Sequence, residues 1–447
     1  MTNHHSFDPD NTCILKQLPI FIFTYFVATS SLLYNSRGYI KDDILTEILN
    51  DWILKICVPE WKCYIKRLSA NDTGQTGGHQ VGVYFPKEVL AGVFPSLNSV
   101  AEPNPEYKFN AQVISHSLPQ QELRAIYYNS KFHGKTRNEK RITRWNSDVK
   151  QSPLQNGENT GAITIFAFHQ PISSQNAIAL EVWVCDNLGE ENLIESQIGE
   201  VLPGDSRFGQ ADKLFGGMAT YSLGKVFRLE IPSLWYSVFP TGIDIIAHVE
   251  NTLQYKSKNP DELLLKRREA EFSVFKKVEE IHVLDQIKEG FSTVDEFIQL
   301  ANSISNRRKS RSGKSLELHL ESIFKAFGIN DYSAQCVTEG NKKPDFIFPS
   351  CTAYHNPKIS DDILTMLAVK TTCKDRWTQI INEANRIKTK YLFTLQEGVS
   401  INQFKEMEAE NVKLVVPKPL HKNYPKEIRN YLFTLQDFID LLNSKKI

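Results

Sequence analysis

The sequence predicts a multidomain protein, with an N-terminal β domain of barrel or sandwich form and a C-terminal α/β domain. The chain has 447 residues, which is too long for one ordinary hydrophobic core and indicates two domains. Short apolar runs separated by polar turns fill residues 45–215, whereas beyond about residue 250 helical spacing alternates with short strands. The first pattern is typical of an antiparallel barrel or sandwich, and the second of an α/β domain with a mixed sheet.

The β domain begins with a predicted helix over residues 42–56. Its apolar residues recur at i, i+3, i+4 and i+7, which is the spacing of a helix that covers one end of a domain. The runs that follow have the length and the flanking turn residues of strands. They cover residues 63–68, 81–85, 107–115, 123–128, 161–168 and 177–185.

The α/β domain is predicted from helical spacing over residues 260–290 and 293–302, followed by four strands. The strands cover residues 345–348, 366–370, 390–395 and 413–416. Pro, Gly and polar residues interrupt the pattern before this domain and indicate a linker. The predicted organisation is an N-terminal extension of unknown role (1–44), the β domain (45–217), a linker or hinge (218–249) and the α/β domain (250–447).

Composition and charge are those of a soluble globular protein, and we expect it in the cytoplasm. Lys and Arg together number 52, as do Asp and Glu, so a nucleic-acid surface must come from local clustering. The seven cysteines form no CxxC pair and no Cys/His array with zinc spacing, which predicts reduced thiols. Residues 18–34 are apolar but short for a membrane span and lack the basic start of a signal peptide, so we expect a buried element or a non-native extension and no membrane partner.

One segment of the α/β domain carries residues suited to phosphodiester hydrolysis. Asp345 starts a predicted strand, Lys370 ends the next one, and Glu383 follows on a predicted helix over residues 377–387. Nucleases of the PD-(D/E)xK type carry an acid two residues before the lysine, but Ala368 occupies that position, so the second acid must come from elsewhere. We expect Asp345 and Glu383 to bind Mg²⁺, Lys370 to orient the attacking water and offset phosphate charge, and Glu317 to support the metal shell.

Charged residues beside this segment suggest how DNA could be recognised. Lys374, Asp375 and Arg376 place a cation, an anion and a cation just past the strand, which suits a guanine edge and a cytosine amine in a major groove. A salt-bridged helix start is the structural alternative. The basic run over residues 306–314 could bind a phosphate backbone, although a solvated loop is the default for such a run.

The β domain has two further basic segments. Residues 127–145 mix Lys and Arg with Asn, Glu and aromatics, and Glu139 would repel phosphate but could accept a hydrogen bond from cytosine. Residues 66–84 add cations, flexible glycines and the pair His79 and Tyr84. Each segment alone could be a solvated loop, but together they favour a DNA-reading surface.

Five of these segments resemble the EcoRII family of type II restriction endonucleases. They cover residues 64–74, 134–145, 305–311, 339–346 and 367–377, within a likeness that spans about residues 45–445. The resemblance implies Mg²⁺-dependent cleavage of double-stranded 5′-CCWGG before the first C. It further implies a homodimer with a restriction-endonuclease-like core, an N-terminal pseudobarrel that binds a second site as effector and restrains the catalytic domain, and a protecting cytosine methyltransferase as functional partner.

The resemblance also assigns residues by position. Asp345, Lys370 and Glu383 would be catalytic, while Lys374, Asp375 and Arg376 would read the C·G pairs. Effector DNA would be bound by His79, Tyr84, Arg124, Lys135, Arg137, Glu139, Lys140 and Arg141. Relatives that flip the central bases suggest Arg268 as a stacking partner, against the alternative of a plain helix-surface arginine.

Two other functions compete with this interpretation. A non-catalytic DNA-binding regulator with an inactive nuclease domain would have lost an acid or the lysine, yet Asp345, Lys370 and Glu383 are all present. A structure-specific repair nuclease with the same core would need neither a second DNA-reading domain nor the Lys-Asp-Arg tripeptide. The sequence therefore favours a site-specific endonuclease.

Overall fold

The structure is a computed structural model that describes residues 40–76, 83–145, 152–215, 229–253, 255, 257–374 and 376–445. Residues 18–34, His79 and Asp375 therefore lie outside the described residues, as does most of the 1–44 extension. None of the described helices is both long and apolar enough to cross a membrane.

The N-terminal part is built on a seven-stranded sheet. Its elements are α1 (Ile40–Ile56), β1 (Trp61–Arg67), α2 (Lys87–Val93), β2 (Glu106–Val113), β3 (Gln121–Tyr128), β4 (Glu139–Thr143), β5 (Ile163–His169), β6 (Ala179–Val184), α3 (Leu188–Ile198), β7 (Ser206–Gln210) and α4 (Ala211–Phe215). The strand order is β4-β3-β2-β6-β5-β1-β7. The prediction of a wholly antiparallel sheet was wrong at one place, since β2 and β6 run parallel.

The C-terminal part contains the long helices and the second sheet. Its elements are α5 (Gly242–Thr252), α6 (Pro260–Glu289), α7 (Val294–Ala326), β8 (Ser333–Ala334), β9 (Phe346–Phe348), α8 (Cys351–His355), β10 (Thr365–Lys370), β11 (Lys390–Thr394), α9 (Ile401–Ala409), β12 (Val412–Val415) and α10 (Leu435–Ser444). The strand order is β12-β11-β10-β9-β8, with β10, β11 and β12 parallel and β9 antiparallel to β10. This is the mixed sheet that the sequence predicts.

The apolar strands of the second sheet are covered on both faces. On β10, Met366 and Ala368 belong to one hydrophobic core, whereas Leu367 and Val369 belong to another. Burial on both faces explains why this strand reads as a continuous apolar run instead of an alternating one. It also explains the missing acid of the nuclease pattern, because a carboxylate at Ala368, which is 0% exposed, would be buried in the core.

Helices α6 and α7 are single long helices with defined ends. Asn259 caps α6 by accepting hydrogen bonds from the amides of Asp261 and Glu262, and Pro260 occupies the first turn. The basic run 306–314 lies within α7, so the loop expected there is absent. Within the predicted linker, Ser233–Tyr236 form a 3₁₀ helix and α5 begins at Gly242, and both elements share a small core with α6. The domain boundaries themselves stay a prediction.

The two parts of the chain contact each other through polar groups. Ala70 N donates to the carbonyl of Glu397 at 3.1 Å, and Ser400 Oγ donates to Glu158 Oε1 at 2.7 Å. On α7, Arg311 Nη1 lies 3.1 Å from Glu200 Oε2.

The cysteine prediction was wrong for one pair. Cys336 and Cys351 form a disulfide, with Cα atoms 5.6 Å apart, whereas Cys57, Cys63, Cys185 and Cys373 are free. The two half-cystines lie near each other because β9 returns the chain so that α8 packs beside the segment after β8.

Candidate active site

Asp345 and Lys370 meet where β9 begins and β10 ends. The antiparallel register pairs Phe346 with Leu367, so Asp345, the residue before β9, lies beside the last residues of β10. Asp345 Oδ2 accepts a 2.7 Å hydrogen bond from the Val369 amide and lies 3.5 Å from Lys370 Nζ. The strand pairing thus fixes the carboxylate and brings the ammonium group beside it.

Glu317 on α7 is joined to Asp345 by an amide that sequence reasoning missed. Gln335 Nε2 donates to Asp345 Oδ1 at 3.0 Å and to Glu317 Oε2 at 3.2 Å. Burial raises the pKa of Glu317, and repulsion from Asp345 raises it further. No motif marks Gln335, because only the β8–β9 pairing brings it to the two acids.

Glu383 lies in a turn instead of the predicted helix. Trp377–Ile380 is a short 3₁₀ helix, after which Ala384 adopts a φ of +50°, so the helix cannot continue. The Lys390 ammonium group donates to the carbonyls of Glu383, Ala384 and Ile387 and so holds the turn. Burial raises the pKa of Glu383; Lys370 opposes this and Asp345 adds to it.

The three carboxylates have the chemistry of a site for a hard divalent cation. They supply oxygen ligands, and the raised pKa values of Glu317 and Glu383 reflect burial and carboxylate repulsion that a cation would relieve. The oxygen atoms of the three carboxylates do not all lie within 4.8 Å of one another. Among the described residues, the only group of three potential metal ligands whose atoms lie that close is Cys336, Cys351 and His355. Because Mg²⁺ takes one or two carboxylates and keeps several waters, this donor set fits it.

Of the predicted base-reading residues, Arg376 lies at a cavity between the two parts of the chain. Arg376 lines this cavity of about 200 Å³ together with Glu317 and Lys370, and the opposite wall contains Arg67 and Glu200. The Lys374 amide donates to Gln396 Oε1 at 3.0 Å. The candidate residues Glu317, Lys370 and Arg376 therefore face the N-terminal part across this cavity.

Arg268 does not have the exposure expected of it. Its side chain is 3% exposed, packs between α6 and α7, and donates to Ser315 Oγ at 3.4 Å. The alternative of a plain helix-surface arginine was therefore wrong, whereas stacking on a flipped base stays a prediction that requires the guanidinium group to become accessible. The reason is that Arg268 lies on the face of α6 that packs against α7.

Two arginines of the basic run within α7 form ion pairs with acidic residues of this chain. Arg308 makes a bidentate pair with Glu279, in which Nε donates to Oε1 at 3.0 Å and Nη2 donates to Oε2 at 2.6 Å. Arg311 pairs with Glu271 at 2.7 Å as well as with Glu200. These arginines stabilise helix and interface packing, a role that sequence spacing could not indicate because the acids come from distant segments.

Four of the predicted effector residues lie at one edge of the seven-stranded sheet. Glu139, Lys140 and Arg141 lie on the edge strand β4, and Arg124 lies on β3, where its Nε donates to Thr143 Oγ1 at 3.1 Å. Burial raises the pKa of Glu139, but the hydrogen bonds that it accepts from Arg137 and Arg141 outweigh this and lower the pKa below its usual value.

An aromatic ring contacts Arg137 at this sheet edge, whereas Lys135 and Tyr84, two other predicted effector residues, lie outside strand β4. The Arg137 guanidinium carbon lies 3.6 Å from the centre of the Tyr128 ring. Lys135 is exposed in the turn before β4. Tyr84 is 63% exposed and lies in a different segment, where its amide donates to Asp72 Oδ1.

Comparisons with known proteins match both parts of this chain. A family model described as "Restriction endonuclease EcoRII, N-terminal" matches residues 57–213, and one described as "EcoRII C terminal" matches residues 275–439. The type II restriction enzyme EcoRII of Escherichia coli is 50% identical over 396 residues, which is 89% of this chain and 97% of that enzyme. The chain belongs to the EcoRII family. It is therefore a type II site-specific deoxyribonuclease, and the alternative of a non-catalytic regulator is set aside.

More distant similarities to this EcoRII-family chain are partial. The type II restriction enzyme SsoII of Shigella sonnei is 28% identical over 149 residues, or 31% of this chain and 48% of that enzyme. Metal-depleted Ecl18kI in complex with uncleaved, modified DNA is 21% identical, with a TM-score of 0.39 over 46% of this chain and 78% of that one. The B3 domain of UbaLAI restriction endonuclease with cognate DNA is 21% identical, with a TM-score of 0.21 over 30% of this chain and 79% of that one.

Proposed function

We propose that this enzyme hydrolyses double-stranded DNA at 5′-CCWGG, before the first C, with Mg²⁺ as cofactor. The observation that carries the proposed catalytic site is the junction of β9 and β10, where Asp345 lies 3.5 Å from Lys370 and shares Gln335 with Glu317. The CCWGG specificity rests on membership of the EcoRII family together with the Lys374-Asp375-Arg376 tripeptide.

Each catalytic residue has a role that its position supports. Lys370 Nζ, with a side chain 23% exposed, can approach the attacked phosphate, offset its charge and orient the attacking water. Asp345 and Glu383 would hold Mg²⁺, with Glu317 supporting the same shell. When bound, Mg²⁺ would polarise the phosphate and lower the pKa of a water molecule. The hydrogen bonds to Asp345 orient its carboxylate before DNA binds.

We assign recognition of the DNA sequence to residues in both parts of the chain. Lys374 and Arg376 would donate to guanine edges and Asp375 would accept from a cytosine amine in the major groove. Tyr84, Arg124, Lys135, Arg137, Glu139, Lys140 and Arg141, together with His79, would bind a second copy of the site as effector. The sheet edge at β4 supports this, since the side chains of Glu139, Lys140 and Arg141 are only half-buried there.

The N-terminal part would restrain the nuclease until effector DNA binds. Arg67 and Glu200 line the same cavity of about 200 Å³ as Glu317, Lys370 and Arg376. This cavity is far smaller than a DNA duplex, so the two parts would separate before cleavage. Because CCWGG is nearly symmetric and both strands must be cut, we propose a homodimer, with a cytosine methyltransferase protecting host sites.

Plasmid cleavage tests this function directly. Purified protein with Mg²⁺ is incubated with plasmids that carry one, two or three CCWGG sites, and the cleaved ends are sequenced. We expect ends before the first C and faster cleavage as the number of sites rises. Ends at unrelated sequences would refute the specificity, and equal rates at all site numbers would refute the effector role.

Substitution of the lysine tests the catalytic assignment. Lys370→Ala should bind a CCWGG duplex as the wild type does but cleave it at least about 100-fold more slowly, because the attacked phosphate loses the ammonium group that would offset its charge. Lys388→Ala, an exposed lysine of the same domain, is the control. Wild-type cleavage by Lys370→Ala would show that the catalytic centre lies elsewhere.

A further inference from the structure

A cluster of two cysteines and one histidine lies beside the proposed catalytic acids but shares no residue with them. Cys336 directly follows Gln335, whereas Cys351 and His355 lie four residues apart on α8 and so share one face of that helix. One ligand atom from each of the three lies within 4.8 Å of the others. Sequence spacing gave no zinc pattern because Cys336 and Cys351 are separated by 15 positions.

We propose that Cys336, Cys351 and His355 form a Zn²⁺ site when the two cysteines are reduced. Two thiolates and an imidazole are ligands that Zn²⁺ prefers, whereas Mg²⁺ prefers oxygen. The site would therefore hold a different metal from the carboxylate site and would not compete with it. Three protein ligands leave the fourth position of a tetrahedral ion to water.

The surroundings of His355 suit a metal ligand. Its Nε2 lies 2.9 Å from the carbonyl oxygen of Val337, an arrangement in which Nε2–H donates and Nδ1 keeps a free lone pair. Histidines that bind metals commonly have their other ring nitrogen fixed in this way. Cys336 is 4% exposed and His355 is exposed, so the site has a buried side and an open side through which a metal can enter.

A dithiol can supply the electrons that reduce the disulfide between Cys336 and Cys351. The disulfide takes up two electrons and two protons and becomes two thiols, while the dithiol is oxidised to its own disulfide. Binding of Zn²⁺ then displaces the two thiol protons to solvent and forms two Zn–S bonds of about 2.3 Å. The oxidised pair has no thiolates and cannot form the site.

The site would keep the Gln335 segment attached to α8 under reducing conditions. The Cys351 amide donates to Ser333 Oγ at 2.9 Å, and Tyr354 Oη hydrogen-bonds Glu339, so α8 already contacts this segment on both sides of Cys336. A zinc ion would replace the covalent link between the two cysteines. Gln335 would then stay beside Asp345 and Glu317 in both redox states.

Cobalt spectroscopy of the full-length protein tests the proposal without relying on activity. Protein is reduced, transferred anaerobically to metal-free buffer and titrated with Co²⁺, followed by competition with Zn²⁺. We expect one equivalent to give thiolate-to-cobalt charge-transfer bands in the near ultraviolet and the visible bands of tetrahedral Co²⁺, and Zn²⁺ to abolish both. Protein oxidised beforehand should show neither.

Variants assign the bands to the three ligands. Cys351→Ser and the exposed His355→Gln should each weaken Co²⁺ binding at least tenfold, with circular dichroism confirming that they fold. Cys57→Ser removes a buried thiol of the other domain and should bind as the wild type does. Asp345→Asn should also retain the bands, since the carboxylate site is separate. Absence of thiolate bands in the reduced wild type, or unchanged binding by folded His355→Gln, would overturn the proposal.

Discussion

The Asp345 carboxylate is oriented by the protein at both of its oxygens. Oδ1 accepts from Gln335 Nε2 at 3.0 Å, and Oδ2 accepts from the Val369 amide at 2.7 Å. Each oxygen keeps a further lone pair for a cation. Gln335 also contacts Glu317, so one amide offsets the repulsion between two neighbouring acids.

Removal of that amide should reduce catalysis more than binding. Gln335→Ala should lower the single-turnover cleavage rate by roughly 10- to 100-fold, because a hydrogen bond to a charged group contributes about 1.5–3 kcal/mol. It should also raise the Mg²⁺ concentration needed for half-maximal rate. Rates are measured across a Mg²⁺ titration, and binding is measured in Ca²⁺.

The matched control for Gln335 is Gln120→Ala, which removes an exposed amide in the other part of the chain. It should cleave as the wild type does. If Gln335→Ala also keeps the wild-type rate and Mg²⁺ dependence, then the amide is not a positioning group for the acids.

At the scale of elements, the turn after the 3₁₀ helix depends on one buried lysine. Lys390, at the start of β11, donates 2.8 Å and 2.6 Å hydrogen bonds to the carbonyls of Ala384 and Ile387. The Ala384 carbonyl also accepts a 2.9 Å hydrogen bond from the Ile387 amide, and Lys390 adds a second donor there and a donor to the Ile387 carbonyl. Lys390 therefore strengthens the turn that carries Glu383.

Lys390→Met should loosen the turn and slow cleavage about tenfold or more, while the sheet remains folded. Methionine keeps most of the apolar stem but donates no hydrogen bond. Hydrogen exchange over residues 381–389 should become faster than in the wild type. Lys388→Met, an exposed neighbour, should change neither exchange nor rate. Unaltered exchange in Lys390→Met would show that other contacts hold the turn.

Four of the five strands of the second sheet were predicted because each is a short, largely apolar run, whereas the two-residue strand β8 was not. Those predicted at 366–370 and 413–416 are observed at Thr365–Lys370 and Val412–Val415. The edge strand β4 was missed, because Glu-Lys-Arg-Ile-Thr carries charges on both sides and lacks alternation.

The remaining errors share one physical cause. α7 continues through its basic run because Arg308 and Arg311 find acids on α6 and on the N-terminal part. The turn at Glu383 replaces a helix because Lys390 stabilises its carbonyls. In each case the deciding partner is distant in the sequence, so local propensity could not indicate it. Asp345, Lys370, Glu317 and Glu383 could be proposed from the sequence because type and order mark them, whereas Gln335 has no such pattern.

At the scale of the whole molecule, the contact between the two parts contains an excess of positive charge at one point. Arg207 from the N-terminal part and Arg308 from α7 both lie near Lys276 on α6, and a small cavity is lined by all three. Burial, and then repulsion from these arginines, lowers the pKa of Lys276 to about 8. The charged ammonium group therefore destabilises the folded chain at neutral pH.

Lys276→Met should stabilise the protein at pH 7 by about 1–3 kcal/mol. The upper end of this range follows from the size of the pKa shift. The gain is reduced because the substitution removes the contact between the ammonium group and the Phe272 ring. The folded pKa lies below the usual 10.5. Between pH 8 and 10.5 the folded state loses this proton before the unfolded chain does, so the free energy of unfolding rises with pH.

Thermal unfolding at pH 7, 8, 9 and 10 checks both statements. The wild type should gain stability relative to Lys276→Met as pH rises through this window, until the difference largely disappears. Lys277→Met removes an exposed neighbouring charge and should follow the wild type. A constant difference between wild type and Lys276→Met at all four pH values would contradict the shifted pKa.

The ion pair between Glu200 and Arg311 is the contact best placed to control release of the nuclease. Both side chains are at most 10% exposed, and the 3.1 Å pair joins the N-terminal part to the helix that carries Glu317. Arg311 also pairs with Glu271 within the C-terminal part, so loss of Glu200 does not leave a buried charge alone. Glu200→Gln should therefore weaken the contact between the two parts without unfolding either one.

On the proposed restraint, Glu200→Gln should cleave a one-site plasmid about tenfold faster than the wild type, since a loss of about 1.4 kcal/mol shifts an equilibrium tenfold. On a three-site plasmid the two proteins should cleave alike, because effector DNA has already separated the parts. Glu269→Gln removes a more exposed pair with Lys266 and should show no difference on either plasmid. If Glu200→Gln cleaves the one-site plasmid at the wild-type rate with unchanged stability, the pair does not hold the closed arrangement, and the barrier to cleavage must come from other contacts around the cavity.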